Sequence, residues 1–305
     1  MTGGLAAKLR AGRFVITAEI APPLSSDPGD LLKRAQPLSG LADALNLTDG
    51  ASARVHMSAL AAAGILVRHG IEPILQFTCR DRNRIALQSD LIGAAALGIR
   101  NLLMLTGDDP RAGDQPDAKP VFDLDSRTLI ATAAAIRDRN ELPSGRKLAG
   151  HADFFIGAAD TPLDPPGKWT PAALQAKIAA GAQFAQTQFC MDAGIARRYV
   201  RRLGEEGVTE RLFLLIGVAP LPSARSALRI REHLPGSIIP DALVDRLARA
   251  SDPKTEGRRV CIDLVHELRA IPGVAGAHIM APQNAGAIAE VIGKIRSGLD
   301  MSGAT

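Results

Sequence analysis

Along the chain, apolar runs of about six residues rich in Val, Ile, Leu and Phe alternate with longer segments whose apolar positions recur at helical spacing. That alternation predicts a parallel sheet wrapped by helices, because strands buried on both faces read as continuous apolar runs. Strands are predicted over 14–20, 42–48, 73–78, 101–107, 154–159, 184–189, 212–218 and 276–281. Helices are predicted over 28–38, 54–69, 82–97, 126–140, 171–182, 193–204, 223–233 and 284–296. Eight strand–helix repeats in 305 residues predict an α/β fold, a (β/α)8 TIM barrel rather than an open sheet. Two stretches interrupt the repeat. Asp108 to Asp123, with five aspartates and three prolines, predicts a long polar loop after the fourth strand, and 240–270 predicts one or two extra helices before the last strand. The tail after Ser297 predicts a frayed end.

Composition narrows the class. With 46% hydrophobic and 22% charged residues and no low-complexity linker, the sequence predicts one barrel domain spanning 1–305. Cys79, Cys190 and Cys261 are widely spaced and lack a CxxC pair or a nearby His at ligand spacing, which argues against a disulfide framework and a structural zinc site. A reducing cytoplasm is the expected location. The N-terminal MTGGLAAKLRAGRF has no continuous apolar core, and no run of eighteen apolar residues occurs, so neither a signal peptide nor a membrane span is expected. A net charge of +4 spread along the chain, with eight Phe, one Trp and one Tyr, argues against a nucleic-acid surface. An anionic small molecule remains a suitable ligand.

In a barrel of this kind the βα loops converge at the C-terminal ends of the strands, so polar residues there are the candidates. They are Glu19; Asn46, Thr48 and Asp49; Gln76, Thr78 and Arg80; Thr106 and Asp108; and Thr187 and Gln188. The fifth strand instead ends in the small-residue run Gly157, Ala158, Ala159. Glu19 precedes Ala21, Pro22 and Pro23, a stiff segment whose prolines lack backbone donors for its carboxyl. A carboxyl held beside apolar walls favours its neutral form, as a general acid requires, although a strand-end salt bridge is the competing reading. Asp108 follows Gly107, which would let backbone approach a ligand, and is equally a turn former in Gly-Asp-Asp-Pro. Gln188, within a buried strand, must be satisfied by a ligand or by neighbouring backbone. Lys177 reads as a solvated helix lysine, Arg80, Arg82 and Arg84 as a phosphate clamp or a solvated helix start, and His278 as a satisfied core histidine. No GxGxxG follows the first strand, so a Rossmann-type site is not indicated.

The motifs AEIAPP, LNLTDG, QFTCRDRNRIALQSDLIGAAALGIRNLLMLTGDDP, AKPVFDLDS, FFIGAA, KIAAGAQFAQTQFCMD, IGVAPLPS and PGVAGAHIMAP follow one another at successive strand ends. In this order the chain resembles the methylenetetrahydrofolate reductase family, in its short bacterial form without a regulatory domain. The resemblance implies a (β/α)8 barrel holding a flavin, usually FAD, that passes a hydride from NADH or NADPH to 5,10-methylenetetrahydrofolate. It further implies Glu19 as the general acid, Asp108 beside the flavin pyrimidine edge and the pterin, and Gln188 on the pterin. Flavin contacts would come from Thr48, Gln76, Thr106, Asp123, Asp125, Gly157, Ala158 and Lys177. The chain departs from the better-known flavoproteins in having Gln76 for a His, Asp49 for a Tyr, Ala224 for a Phe and no aromatic in the Gly157–Ala159 run. Each lost aromatic removes stacking worth about 0.5–1.5 kcal/mol. FMN in place of FAD, direct hydride transfer from the nicotinamide without flavin, and a catalytically idle barrel binding folate or a methyltransferase partner therefore stay open. So do the nicotinamide preference and a homo-oligomer.

Overall fold

The computed structural model describes residues 4–281 and 284–302. A short helix α1 (Leu5–Arg10) precedes β1 (Val15–Ile20), and strands and helices then alternate. They run α2 (Pro28–Ala35), β2 (Ala44–Leu47), α3 (Ala59–Arg68), β3 (Pro73–Thr78), α4 (Arg84–Ala96), β4 (Asn101–Leu105), α5 (Ser126–Arg139) and β5 (Phe155–Asp160). The second half comprises α6 (Ala172–Ala179), β6 (Phe184–Phe189), α7 (Ala193–Glu205), β7 (Phe213–Val218), α8 (Ala224–His233), α9 (Asp241–Arg249), α10 (Pro253–Arg269), β8 (Val274–Met280) and α11 (Ala285–Ser302). All strand pairs are parallel, and β8 closes on β1 to complete an eight-stranded barrel. The (β/α)8 expectation is met, as is that of two extra helices, α9 and α10, before the last strand.

Polar residues at the helix starts fix where each helix leaves its loop. Asp27, Asn83, Asp192, Ser223 and Asp252 each accept a backbone N–H of the first turn, and Asp125 closes a capping box with Thr128. The stretch 54–58, predicted as helix, is loop instead, because Ser58 caps α3 and delays its start to Ala59. At the other end, α11 continues to Ser302, so the predicted fraying does not begin at Ser297; residues 303–305 lie outside those described. Among the described residues no helix is long and apolar enough to cross a membrane.

Inward- and outward-facing residues alternate along each strand. Outward residues such as Leu75, Phe77, Ile156 and Ile216 join the helices in one large core. Inward residues at the strand starts, Val15, Ala44, Ile74, Leu103, Phe155, Phe184 and Leu215, form a second cluster closed from below by Leu5 and Leu9 of α1. Phe155 and Phe184 stack there with ring centroids 4.9 Å apart. One step higher on the same inward faces, Thr17, Asn46, Gln76, Gln186 and His278 are buried and polar. The barrel is thus apolar at its base and polar at mid-height, beneath the strand ends where a ligand would enter.

Candidate active site

Glu19 stands directly above that polar layer, paired in register with Asn46 of β2 and Met280 of β8. Its side chain is 15% exposed. Oε2 faces Asn46 Nδ2 at 3.5 Å, Gln76 Nε2 at 3.4 Å and His278 Nε2 at 3.7 Å. The apolar, donor-poor surroundings expected from the Pro22–Pro23 segment are therefore not what the carboxyl meets. Barrel closure brings the inward positions of β2, β3 and β8 around it, and a reading of the local segment alone misses those donors. His278 does find partners, Thr17 Oγ1 at 3.0 Å and Gln186 Nε2 at 3.3 Å from Nδ1, but its other ring nitrogen faces the candidate acid. Among the described residues, Asn46 Oδ1, Thr48 Oγ1 and Gln186 Oε1 are buried without a hydrogen-bond partner. Buried polar atoms are rarely left so, and a ligand or water reaching the mouth would complete them.

Around the mouth, carboxylates tie the loops together. Asp49 accepts from Thr78 N at 2.9 Å and Thr78 Oγ1 at 3.0 Å, and it pairs with Arg82. Arg80 is buried, donating to Gly50 O at 3.0 Å and pairing with Asp81. Arg84 forks onto Asp123. All three guanidiniums are thus matched to carboxylates; Arg80 and Arg82 are drawn in rather than solvated, whereas Arg84 is the exposed helix start expected, at the first position of α4. Asp108 is exposed and accepts Ser52 N at 2.8 Å, bracing the loop after β4 against the turn after β2. Gly107 has φ +100° and a Cβ there would lie 3.0 Å from Arg80 Cβ, so the glycine serves the turn and the approach of Arg80.

Thr106, Asp123 and Asp125 share a cavity of about 550 Å³ with Arg84 and Phe122. Both carboxylates already hold local structure, Asp125 at the start of α5 and Asp123 on Arg84, whose guanidinium lowers the Asp123 pKa to about 2. Lys177 is not the solvated lysine expected: Nζ donates to Ala159 O at 2.7 Å, and burial pushes its pKa down against the opposing pull of Asp160 and Asp125. Gln188 lies at a bulge in β6, with Oε1 accepting from Phe189 N at 3.1 Å, so neighbouring backbone satisfies part of the amide.

Thr17 and Gln186 were not among the sequence candidates, although each lies two residues before one, on the same strand face as Glu19 and Gln188. Asp160, at the end of β5, gives no sequence signal of its own; it accepts from the buried Tyr199 hydroxyl, and burial, with the carboxylate adding to it, pushes the tyrosine pKa up. Burial raises the thiols as well, Cys79 and Cys190 to about 11 and Cys261 to about 12, which leaves them poor nucleophiles.

For the flavin implied by the resemblance, the residue set fits incompletely. The unpartnered Thr48 hydroxyl and the cavity beside Thr106 suit a polar ligand. At Gly157, however, the space is taken: a Cβ would lie 2.3 Å from Phe184 Cζ. Ala158 is wholly buried in the outer core, so its methyl cannot reach the mouth. The alternation of β5 turns one residue toward the barrel base and the next toward the helices, so neither position offers a side chain to the mouth and any contact there would be through backbone.

The protein-family model for methylenetetrahydrofolate reductase matches residues 5–296. A Caenorhabditis elegans protein, a probable methylenetetrahydrofolate reductase (NADPH), is 28% identical over 247 residues, covering 78% of this chain and 34% of the relative. The chain thus spans about a third of that relative's length. Among solved structures, an uncharacterised Clostridium thermocellum protein that binds two copies of 5-methyl-5,6,7,8-tetrahydrofolic acid aligns with TM-score 0.64 and 15% identity, over 96% of this chain and 99% of its own. The long-chain alkane monooxygenase LadA aligns with TM-score 0.59 and 11% identity, over 99% and 92%. At these identities the structural likenesses speak to the barrel alone. The family match extends from α1 into α11, and the chain belongs to the methylenetetrahydrofolate reductase family.

Proposed function

We propose that the chain, acting as one barrel domain over 1–305, reduces 5,10-methylenetetrahydrofolate to 5-methyltetrahydrofolate with NADH or NADPH, Glu19 serving as general acid. Family membership supports the reaction, and the C. elegans relative supports a reduced nicotinamide as donor. The tetrahydrofolate bound by the C. thermocellum protein of like fold supports a folate in the mouth of such a barrel. The observation that carries the reading is the setting of Glu19, a partly exposed carboxyl above a buried polar layer, with amide N–H groups directed at one of its oxygens.

The substrate's methylene carbon bridges N5 and N10. Cleavage of its bond to N10 requires a proton on that nitrogen, and the Glu19 carboxyl supplies it. The bond electrons stay on N10, leaving an N5 iminium, and a hydride delivered to the methylene carbon completes the methyl group. As the proton leaves, the carboxylate gains charge, and the Asn46 and Gln76 N–H groups stabilise it. The Gln188 NH2 group, with Oε1 held by Phe189 N, suits an acceptor on the pterin edge, and Asp108 would border the pterin and the nicotinamide.

A flavin, FAD above all, would supply a hydride relay between nicotinamide and folate. The space filled by Phe184 at Gly157, the engaged Asp123 and Asp125 and the missing aromatics favour a second reading, direct hydride transfer from NAD(P)H. The test is to incubate the purified protein with 5,10-methylenetetrahydrofolate and each nicotinamide, follow 5-methyltetrahydrofolate by mass spectrometry, and record the visible spectrum. A yellow protein bleached by NAD(P)H supports the flavin route, and a colourless active one the direct route. A colourless protein that makes no product returns the idle-barrel alternative.

A further inference from the structure

His278 is a buried, titratable side chain that the reaction as written leaves without a task. It is 2% exposed and held at mid-height in the barrel by β8. Nδ1 is 3.0 Å from Thr17 Oγ1 and 3.3 Å from Gln186 Nε2. The same Gln186 nitrogen donates to Thr17 Oγ1 at 3.1 Å, which leaves the Thr17 hydroxyl proton free to point at the ring. With the Thr17 hydroxyl and a Gln186 N–H turned to Nδ1, that nitrogen accepts, which is the arrangement that places the ring proton on Nε2. That N–H faces Glu19 Oε2 at 3.7 Å, and Glu19 is the charged group within ion-pair reach of the ring among the described residues.

Three N–H groups thus converge on Oε2, from Asn46, Gln76 and His278, each at 3.4 Å or beyond. Contacts of that length do little for a neutral acid. They strengthen when charge develops on the carboxyl, which is when differential stabilisation accelerates a reaction. Among the described residues no hydrogen bond is recorded to Oε1, so that oxygen is the one available to present a proton to the substrate.

We propose that His278, fixed in its Nε2–H form by Thr17 and Gln186, is a positioning residue that orients Glu19 and stabilises the carboxylate left when Glu19 gives up its proton. The proposal rests on Glu19 being the general acid. It adds a dipole beneath the acid and an order to the inner layer, running from Gln186 and Thr17 through His278 to Glu19.

The test uses the 305-residue chain and four variants: Glu19→Gln, His278→Leu, His278→Gln and the double variant Glu19→Gln with His278→Leu. With His278→Leu, kcat for methylenetetrahydrofolate reduction should fall about 10- to 100-fold. KM for folate and nicotinamide should stay within about twofold, because the ring is 2% exposed and lies beneath Glu19 rather than at the mouth. The alkaline limb of the kcat–pH profile should move to higher pH, since a donor to the conjugate base has been lost. His278→Gln, which keeps an N–H donor, should recover most of the rate, and the double variant should be no slower than Glu19→Gln alone.

An unmoved pH profile, or a further loss in the Glu19→Gln background, would overturn the proposal. Normal turnover by Glu19→Gln would instead remove the general-acid reading, and this proposal with it. Should His278→Leu fail to fold, Thr17→Val removes the hydroxyl that fixes the tautomer at nearly constant volume. A few-fold fall in kcat with the same shift of the limb would support the proposal, and unchanged kinetics would refute it.

Discussion

The ring of Phe184 occupies the space into which any side chain at Gly157 would project. A Cβ at Gly157 would lie 2.3 Å from Cζ and 2.6 Å from each Cε of that ring, with Phe155 stacked behind it. The glycine is therefore a packing requirement of the barrel base. Gly157→Ala should destabilise the fold by about 1–3 kcal/mol, the usual scale of core overpacking, in urea or thermal unfolding. Adding Phe184→Leu should return part of that loss. Unchanged stability of Gly157→Ala would mean that the ring moves freely and that position 157 is open to a ligand.

Gln188 separates a folate site from a generic barrel mouth. Its Oε1 is engaged by Phe189 N, so the NH2 group is the part free to meet a pterin. Gln188→Leu should weaken folate binding by about 1–3 kcal/mol, the cost of unpaired polar groups, and leave NAD(P)H binding unchanged. Titration calorimetry with each ligand measures both. Equal losses for the two would assign Gln188 to the β6 bulge.

Much of the scaffold is legible in the sequence because the barrel strands are apolar runs bounded by loops. Six-residue α1 is missed; its signal is Leu5 and Leu9 at i,i+4 spacing, too short to stand out. The surroundings of Glu19 are less legible for a different reason. Thr17 and His278 meet across 261 positions, and Gln76 reaches Glu19 across 57. Closure of β8 on β1 sets the first distance and the curvature of the sheet across β2 the second, so local stiffness at Pro22–Pro23 points to the wrong environment for a residue at the expected strand end. The setting of Lys177 is illegible for the same reason, since β5 rather than its own helix supplies the carbonyl that holds it.

Acid should loosen the loop between β4 and α5. Arg84 donates to Asp123 through its backbone N at 2.9 Å and through its guanidinium. This lowers the Asp123 pKa from 3.8 to about 2. A lowered carboxyl contributes stability that is present above about pH 4 and is lost as pH falls through about 2. Hydrogen-exchange protection of the Arg84 amide should fall across that window in the wild-type protein, and Asp123→Asn should lose the acid-dependent step. Protection that is flat with pH in the wild type would show that the pair does not hold the loop.

The proposed role of Glu19 is open to the most direct measurement. The yield of 5-methyltetrahydrofolate from 5,10-methylenetetrahydrofolate and reduced nicotinamide should be followed by mass spectrometry for the wild type and for Glu19→Gln. The amide keeps the shape of the carboxyl but has no proton to give N10, so the variant should fold normally and bind both ligands while turning over at least about a hundredfold more slowly. Near-normal product formation by Glu19→Gln, or no product from the wild type with either NADH or NADPH, would contradict the account.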